Sequence, residues 1–239
     1  MELAANLHRV GSDIVALYLV GDETGVTVID AGLPGHWREL VDEIESMGRS
    51  LDDIKGLILT HGDSDHLGIA ERLRSEHGVP VYVHGDDAAQ TRGEAPKQNP
   101  PWGRFRVGPT LGFLWYAGRR GGMKVAPVRQ VIELSGEGPL PLPGNPEIIH
   151  IPGHSPGSIA IFVPSVKALF VGDALTTRHV LTGLERPQPA PFTLDKEMAN
   201  ESLGRLESLD VNWVLPGHGP PWQGSAVEVV RRVRAAAIT

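Results

Sequence analysis

Histidine and aspartate crowd together in one short stretch of this chain, which reads THGDSDHLG. Within six consecutive positions it holds four potential metal ligands: His61, Asp63, Asp65 and His66. A short apolar run directly precedes them and predicts a buried strand, and the loop after a strand can present side chains into a cleft. Imidazole and carboxylate groups are ligands of zinc, manganese and iron. The stretch therefore predicts a metal-binding loop.

Three further potential ligands lie downstream, and each follows an apolar run that predicts a strand: His154, Asp173 and His218. A glycine immediately precedes each of them. Glycine permits tight turns and close backbone approach, which a crowded metal site needs. Four predicted strand ends that together deliver seven histidine or aspartate side chains indicate a shared site.

These motifs resemble those of the metallo-β-lactamase-fold superfamily, from the early VIDAG sequence to the late GHG sequence. The first motif of that family usually reads His-x-His-x-Asp-His, and here Asp63 stands where the second histidine is expected. The later family histidine, the bridging aspartate and the last family histidine match His154, Asp173 and His218. The resemblance implies a mixed α/β (α+β) fold, a four-layer αββα sandwich whose metal cleft opens at one edge.

The same resemblance implies two divalent metal ions. The ligands of the first would be His61, Asp63 and His154. Those of the second would be Asp65, His66 and His218, with Asp173 bridging the two ions. Zinc is expected first because four imidazoles are available, whereas the carboxylate of Asp63 shifts the preference toward manganese or iron. In the alternative, the first site is weak and the protein carries one metal.

Hydrolysis follows from this implied centre. Two adjacent cations lower the pKa of a shared water toward neutrality, which gives a metal-bound hydroxide as nucleophile. Asp65 is predicted to be the catalytic residue, because it can both coordinate metal and accept a hydrogen bond from the reactive water. Asp30 resembles a structural aspartate of the family and is expected to hold the ligand loop.

The expected substrate is a small ester, lactone or thioester, and a lactonase- or esterase-like role fits best by elimination. A β-lactamase-type amide hydrolase is an alternative, although that activity normally accompanies secretion and no signal-peptide pattern opens the sequence. A glyoxalase-II-like role usually brings a further helical domain after the last motif. An iron-dependent, sulfur-dioxygenase-like redox reaction is the other alternative, and Asp63 favours it.

Composition agrees with a single domain over residues 1–239, with 41% hydrophobic and 21% charged residues. The net charge of −7 disfavours nucleic acid as a partner. The absence of cysteine excludes disulfides and thiolate metal sites. No apolar run is long enough to span a membrane. We therefore expect a cytoplasmic protein that acts on a small-molecule substrate and binds neither nucleic acid nor membrane; its oligomeric state stays open.

Residues 91–125 form a long connection rich in proline, aromatic residues and arginine. Such connections are often lids or binding segments, and the family resemblance implies that this one lies over the cleft. In the alternative, its aromatic side chains pack as a small satellite core. A short helix is predicted over residues 110–117. For His179, a position outside the cleft is favoured over one in its wall. Arg178 and Arg186 are candidates to meet an anionic group of the substrate, although no sequence feature assigns them this role.

Periodicity and turn residues predict the remaining elements. The predicted helices are residues 36–47, 69–77, 195–209 and 225–237. The predicted strands are residues 14–20, 26–29, 55–59, 79–83, 128–134, 147–151, 158–163 and 168–171.

Overall fold

The computed structural model describes residues 1–97, 100 and 102–237. Seven strands form the first sheet in chain order: β1 (Glu2–Ala4), β2 (Leu7–Gly11), β3 (Ala16–Asp22), β4 (Gly25–Ile29), β5 (Ile54–Ile58), β6 (Val81–His84) and β7 (Ile132–Leu134). The strands from β1 to β4 pair antiparallel, and those from β4 to β7 pair parallel. Parallel pairing places the carboxyl ends of β4 and β5 at the same sheet edge.

Eight further strands are β8 (Gly138–Pro139), β9 (Glu147–His150), β10 (Ile159–Val163), β11 (Ala168–Gly172), β12 (Thr176–Arg178), β13 (Glu185–Gln188), β14 (Trp213–Pro216) and β15 (Trp222–Gln223). The second sheet has the order β15-β14-β11-β10-β9-β8, and β12 and β13 pair separately as a hairpin. Within the second sheet β11 and β14 are parallel, so their carboxyl ends also lie side by side.

The helices are α1 (Trp37–Ser46), α2 (Ser64–Leu67), α3 (Ala70–His77), α4 (Gly85–Thr91), α5 (Val107–Arg119), α6 (Lys196–Ser202) and α7 (Ala226–Ala237). Short 3-10 helices occupy Pro34–His36, Leu51–Asp53, Gly122–Lys124, Pro164–Val166 and Leu203–Leu206. Across the described part of the chain, none of these helices has both the length and the apolar character needed to cross a membrane.

Three hydrophobic cores separate four layers. The first core joins one face of the first sheet to α1 and α3, the second lies between the two sheets, and the third joins the second sheet to α7 and the 3-10 helix that follows α6. Strand β3 shows how sequence alternation builds this arrangement: Leu17 and Leu19 enter the first core, whereas Tyr18 and Val20 enter the second. Successive side chains of a strand point to opposite faces, so a strand covered on both sides is apolar throughout. The predicted αββα sandwich is confirmed.

Most predicted elements agree with the structure to within two residues at each end, with two larger differences. Residues 128–134 were expected to be one strand, but only Ile132–Leu134 pairs with β6. Residues 195–209 were expected to be one helix, but an α-helix ends at Ser202 and a 3-10 turn containing Gly204 follows. Glycine weakens a helix interior, which accounts for the change of helix type there. The helix expected over residues 110–117 extends over Val107–Arg119.

Candidate metal centre

The ends of four strands bring the seven predicted ligands to one edge of the two sheets. The loop after β5 carries His61 and Asp63, and the short helix α2 that follows it carries Asp65 and His66. The loop after β9 carries His154, and the parallel strands β11 and β14 deliver Asp173 and His218. Three overlapping groups result, and the potential ligand atoms within each lie within 4.8 Å of one another. The groups are His61, Asp63 and His154; Asp65, His66 and His218; and His61, His66 and Asp173.

The first group surrounds the carboxylate that departs from the family motif. Oδ2 of Asp63 lies 3.8 Å from Nε2 of His61 and 3.5 Å from Nε2 of His154. Burial alone would raise the pKa of Asp63, but the hydrogen bond with His154 and the charges of His61 and Lys97 hold it well below its usual range. The oxygen is thus an anionic donor facing two imidazole nitrogens.

The second group lies on the other side of Asp173. Nε2 of His218 lies 3.4 Å from Oδ2 of Asp65, and Asp173 reaches His218 and His66 at 3.2 and 3.6 Å. Oδ2 of Asp173 is also 3.8 Å from Nε2 of His154, so this carboxylate contacts both groups. Burial would lower the pKa of His218, but the Asp173 carboxylate raises it to about 9.

Outer contacts orient all four imidazoles in the same way. In each ring Nδ1 contacts an oxygen outside the centre: Thr60 Oγ1 for His61 at 3.0 Å, Asp30 Oδ2 for His66 at 2.8 Å, Thr193 Oγ1 for His154 at 3.3 Å and the Ile14 carbonyl for His218. Since Nδ1 is engaged, Nε2 is the atom that faces the interior. Outer partners of this kind fix the tautomer and orientation of metal-binding histidines.

Unpaired buried atoms show that these donors fit metal ions. Nε2 of His61, Nε2 of His66 and Oδ1 of Asp173 are buried without a hydrogen-bond partner among the described residues. Leaving buried polar atoms unpaired is costly, and a cation bound among them would remove that cost. Burial and the charge of His66 hold the pKa of His61 well below its ordinary value, which keeps its lone pair available.

Asp30 supports ligands of both groups. Its carboxylate accepts hydrogen bonds from the backbone N–H of Thr60 at 2.8 Å and from the Thr60 hydroxyl, and it contacts Nδ1 of His66 at 2.8 Å. Asp30 has φ +59°, a backbone conformation that few non-glycine residues adopt. These contacts agree with the expectation that Asp30 holds the ligand loop.

Steric crowding explains why glycine precedes two of the ligands, Asp173 and His218. A Cβ on Gly217 would lie 2.4 Å from Cε1 of His66 and 2.9 Å from Oδ1 of Asp173. Gly172 has φ +48°, and a Cβ there would lie 2.3 Å from the Thr60 hydroxyl oxygen. Any side chain at either position would displace the centre.

Helix α4 contributes two residues that the sequence did not indicate. Asp87 is buried and accepts hydrogen bonds from Gly62 N at 2.9 Å, Gly157 N at 2.8 Å and the Ser155 hydroxyl at 2.6 Å. It therefore ties the loop of His61 to the loop of His154. Gln90 donates from Nε2 to the Gly62 carbonyl at 2.9 Å and to Oδ1 of Asp63 at 3.0 Å.

The segment of residues 91–125 reaches the centre through Lys97. Its Nζ lies 2.5 Å from Oδ2 of Asp63 and 5.9 Å from the centroid of the Phe192 ring. At the other end of the segment, the Tyr116 hydroxyl contacts Nε2 of His36 at 2.9 Å. The predicted lid therefore touches the centre at one end and is attached beside α1 at the other.

A cavity of about 810 Å³ lies between this segment, the residues after β13 and the last helices. None of the seven ligands lines it, but Thr193 in its wall contacts Nδ1 of His154 at 3.3 Å. His179 and Arg186 line the cavity, whereas Arg178 pairs with Glu185 at 2.6 Å. The expectation for His179 is therefore corrected. It lies in the cavity wall, in the connection between β12 and β13, a hairpin that the sequence did not predict.

Another histidine pair lies outside this centre. His84 and His150 stack with ring centroids 4.1 Å apart and planes 9° apart, and Asp86 lies nearby. The nitrogen lone pairs of parallel stacked rings do not converge on one point, so this geometry does not suit a shared metal ion.

Comparison with known proteins agrees with the geometry. The profile of the "Metallo-beta-lactamase superfamily" matches residues 10–218. "Probable metallo-hydrolase YflN" of Bacillus subtilis (strain 168) is 29% identical in an alignment that covers 93% of this chain and 87% of YflN. "Hydroxyacylglutathione hydrolase GloC" of Haemophilus influenzae is 30% identical over 154 residues, which cover 64% of this chain and 63% of GloC.

Solved structures show the same fold. The metallo-beta-lactamase family protein TTHA1429 of Thermus thermophilus aligns with a TM-score of 0.68, over 99% of this chain and 81% of its own, at 18% identity. TTHA1623 in a di-iron-bound form aligns with a TM-score of 0.61, over 95% of this chain and 97% of its own, at 24% identity. With the profile match over most of its length, this chain belongs to the metallo-beta-lactamase superfamily.

Proposed function

We propose that the protein is a binuclear metal-dependent hydrolase of a small ester, lactone or thioester. The observation that carries this proposal is the set of seven converging donors, in which four imidazoles turn Nε2 inward and Asp173 contacts both groups. Two divalent ions held there would supply Lewis acidity and lower the pKa of a water.

Asp65 is the catalytic residue in this proposal. Its side chain is 21% exposed, compared with 10% for Asp63 and 6% for Asp173, so among the three carboxylates it has the most access to the cleft. Asp65 accepts a hydrogen bond from the attacking water and so orients it. The water oxygen forms a bond to the substrate carbonyl carbon. The bond between that carbon and the leaving oxygen of an ester or lactone, or the leaving sulfur of a thioester, then breaks, and the leaving group takes up the proton.

Zinc is the first choice of metal, supported by the four imidazoles. The Asp63 carboxylate supports manganese or iron as the alternatives. It also supports the second candidate function, an iron-dependent, sulfur-dioxygenase-like reaction that consumes molecular oxygen. The choice of substrate among esters, lactones and thioesters, the small-molecule partner and the cytoplasmic location stay predictions.

The test combines elemental analysis of the purified protein with separate loading of zinc, manganese and iron. Each form is then assayed on an ester, a lactone, a thioester and a β-lactam, and for oxygen consumption with a persulfide. Asp65→Asn is compared with the matched change Asp86→Asn, at an exposed aspartate outside the centre.

The proposal expects about two ions per chain, hydrolysis of at least one ester, lactone or thioester, and loss of about 10² or more in kcat for Asp65→Asn alone. Failure to bind metal after loading would overturn it. Hydrolysis of the β-lactam alone, or oxygen consumption with iron and no hydrolysis, would replace it by the corresponding alternative.

A further inference from the structure

We propose that the cavity beside His154 binds the non-reacting part of the substrate, and that this part is an apolar chain ending in a carboxylate. The inference rests on the proposed hydrolysis and names its substrate class. The position, walls, charge and size of the cavity each support it.

The cavity lies directly beside a ligand of the centre. Residues that line it also hold that ligand: the Thr193 hydroxyl contacts Nδ1 of His154 at 3.3 Å, and the Leu194 N–H donates to the His154 carbonyl at 3.3 Å. Ala174, which directly follows Asp173, lines the cavity from another side. On the inner side, Nζ of Lys97 contacts Asp63 at 2.5 Å and lies 5.9 Å from the ring centroid of Phe192, which lines the cavity. A substrate whose reacting carbonyl lies at the centre would extend its remaining atoms past Lys97 into this space.

An aromatic pair forms one wall. The rings of Trp102 and Phe192 meet edge to face, with centroids 6.0 Å apart and planes 88° apart. Phe192 has φ +62°, which is a strained conformation for a bulky side chain. Strain of this kind is concentrated at ligand-binding sites, and here it presents the ring to the cavity. Trp102 remains 50% exposed, so its face is open to an apolar chain.

The charge of the lining is positive in a chain whose net charge is −7. Three cationic side chains line the cavity, namely Arg104, Arg186 and Lys196. The single carboxylate of the described lining is that of Asp195, and its Oδ1 is engaged in capping α6 through the Met198 N–H at 2.9 Å. Guanidinium groups match the geometry of a carboxylate, and a cleft with low-dielectric walls strengthens the attraction.

His179 adds a polar contact inside the cavity. Its Nδ1 is buried and has no hydrogen-bond partner among the described residues. A polar substrate atom would satisfy this nitrogen, whereas a purely apolar chain would leave it unpaired. The volume of about 810 Å³ lies within the range of sites for small molecules and exceeds what a short acyl group such as acetyl fills.

The test uses two p-nitrophenyl esters of equal chain length, the hexanoate and the adipate monoester, which differ by a terminal carboxylate. Binding is measured separately with hexanamide and adipamic acid, which carry the same difference and a less reactive carbonyl. Arg186→Glu and Lys196→Glu reverse charges in the cavity. Arg38→Glu is the matched control, because Arg38 is 91% exposed on α1 and does not line the cavity.

We expect adipamic acid to bind about ten-fold more tightly than hexanamide, and kcat/KM to favour the adipate ester by a similar factor, mainly through KM. Each cavity variant should remove most of this preference, and Arg38→Glu should retain it. Equal binding of the two amides, or a preference that survives both cavity substitutions, would overturn the inference. Hydrolysis of both esters without preference would contradict this inference and leave the hydrolase proposal intact. Selective binding without any hydrolysis would support the inference and contradict the hydrolase proposal.

Discussion

The amide Nε2 of Gln90 donates to Oδ1 of Asp63 at 3.0 Å, and this bond gives the two oxygens of the carboxylate different surroundings. Oδ2 faces Nε2 of His61 and Nε2 of His154, at 3.8 and 3.5 Å, and it also accepts from Nζ of Lys97 at 2.5 Å. With one oxygen engaged by an amide, Asp63 would present a single oxygen to a metal. Asp63 can thus occupy the geometric place of an imidazole, which also offers one donor atom.

Gln90→Leu should weaken zinc binding at the first site by about 10- to 100-fold, because the released carboxylate can rotate away from its ligand geometry. Competition with a chromogenic chelator measures both dissociation constants. The control is Gln130→Leu, which changes an exposed glutamine outside the centre. If both zinc dissociation constants are unchanged in Gln90→Leu, the amide does not position Asp63.

Asp63→His should shift the metal preference toward zinc and leave the fold intact. The substitution removes one negative charge and exchanges a hard oxygen for imidazole, which suits zinc better than manganese. Competitive loading with both metals, followed by elemental analysis, measures the ratio in each protein. Identical ratios would mean that Asp63 does not coordinate.

Asp87→Asn should lower the thermal stability of the metal-free protein. The asparagine amide cannot accept at both positions where Gly62, Ser155 and Gly157 now donate, and an unpaired buried donor costs about 1–3 kcal/mol. For a domain of this length the melting temperature should fall by roughly 2–12 °C. Differential scanning calorimetry in chelator checks this, with Asp86→Asn at the exposed neighbouring aspartate as control. An equal, small shift in both variants would contradict it.

Protonation of His36 should lower the free energy of unfolding of the protein in mild acid. Burial and the charge of Arg120 lower its pKa from 6.5 to about 4, so the folded state keeps the imidazole neutral where the unfolded chain takes up a proton. Stability is thus lost as pH falls from about 6.5 toward 4, and this group alone accounts for about 2 kcal/mol between pH 7 and pH 5.

Urea unfolding in chelator at those two pH values, for the wild type and His36→Gln, isolates this contribution. The wild type should lose more stability on acidification than the variant does, because the variant has no imidazole to protonate at this position. Parallel losses in both proteins would place the acid sensitivity elsewhere.

The ligand set could be predicted because each member follows an apolar run that forms a buried strand, and such local patterns are visible in sequence. Asp87 and Gln90 could not be predicted in this way. They are ordinary helix residues, and their hydrogen bonds to Gly157 and Gly62 join positions far apart in the chain. Only the parallel pairing of β5 and β6 brings α4 against the ligand loop.

The cavity could not be predicted from the sequence for a related reason. Residues of β12 and β13 lack the alternating apolar pattern of a half-buried strand, so neither was predicted and His179 was expected to lie outside the cleft. The positive φ angles of Asp30 and Phe192 could not be predicted from the sequence either, because positive φ at non-glycine residues follows from tertiary contacts.

The outer contacts of the four histidines come from distant parts of the fold: the Asp30 carboxylate, the hydroxyls of Thr60 and Thr193, and the carbonyl of Ile14. We therefore expect the donor array to be assembled by folding itself, unlike the array of a small zinc finger, which needs its ion to fold. We also expect that the ions can be removed and restored without unfolding the protein. The ion it carries after purification would then record the metal supply of the host cell as much as the preference of the site.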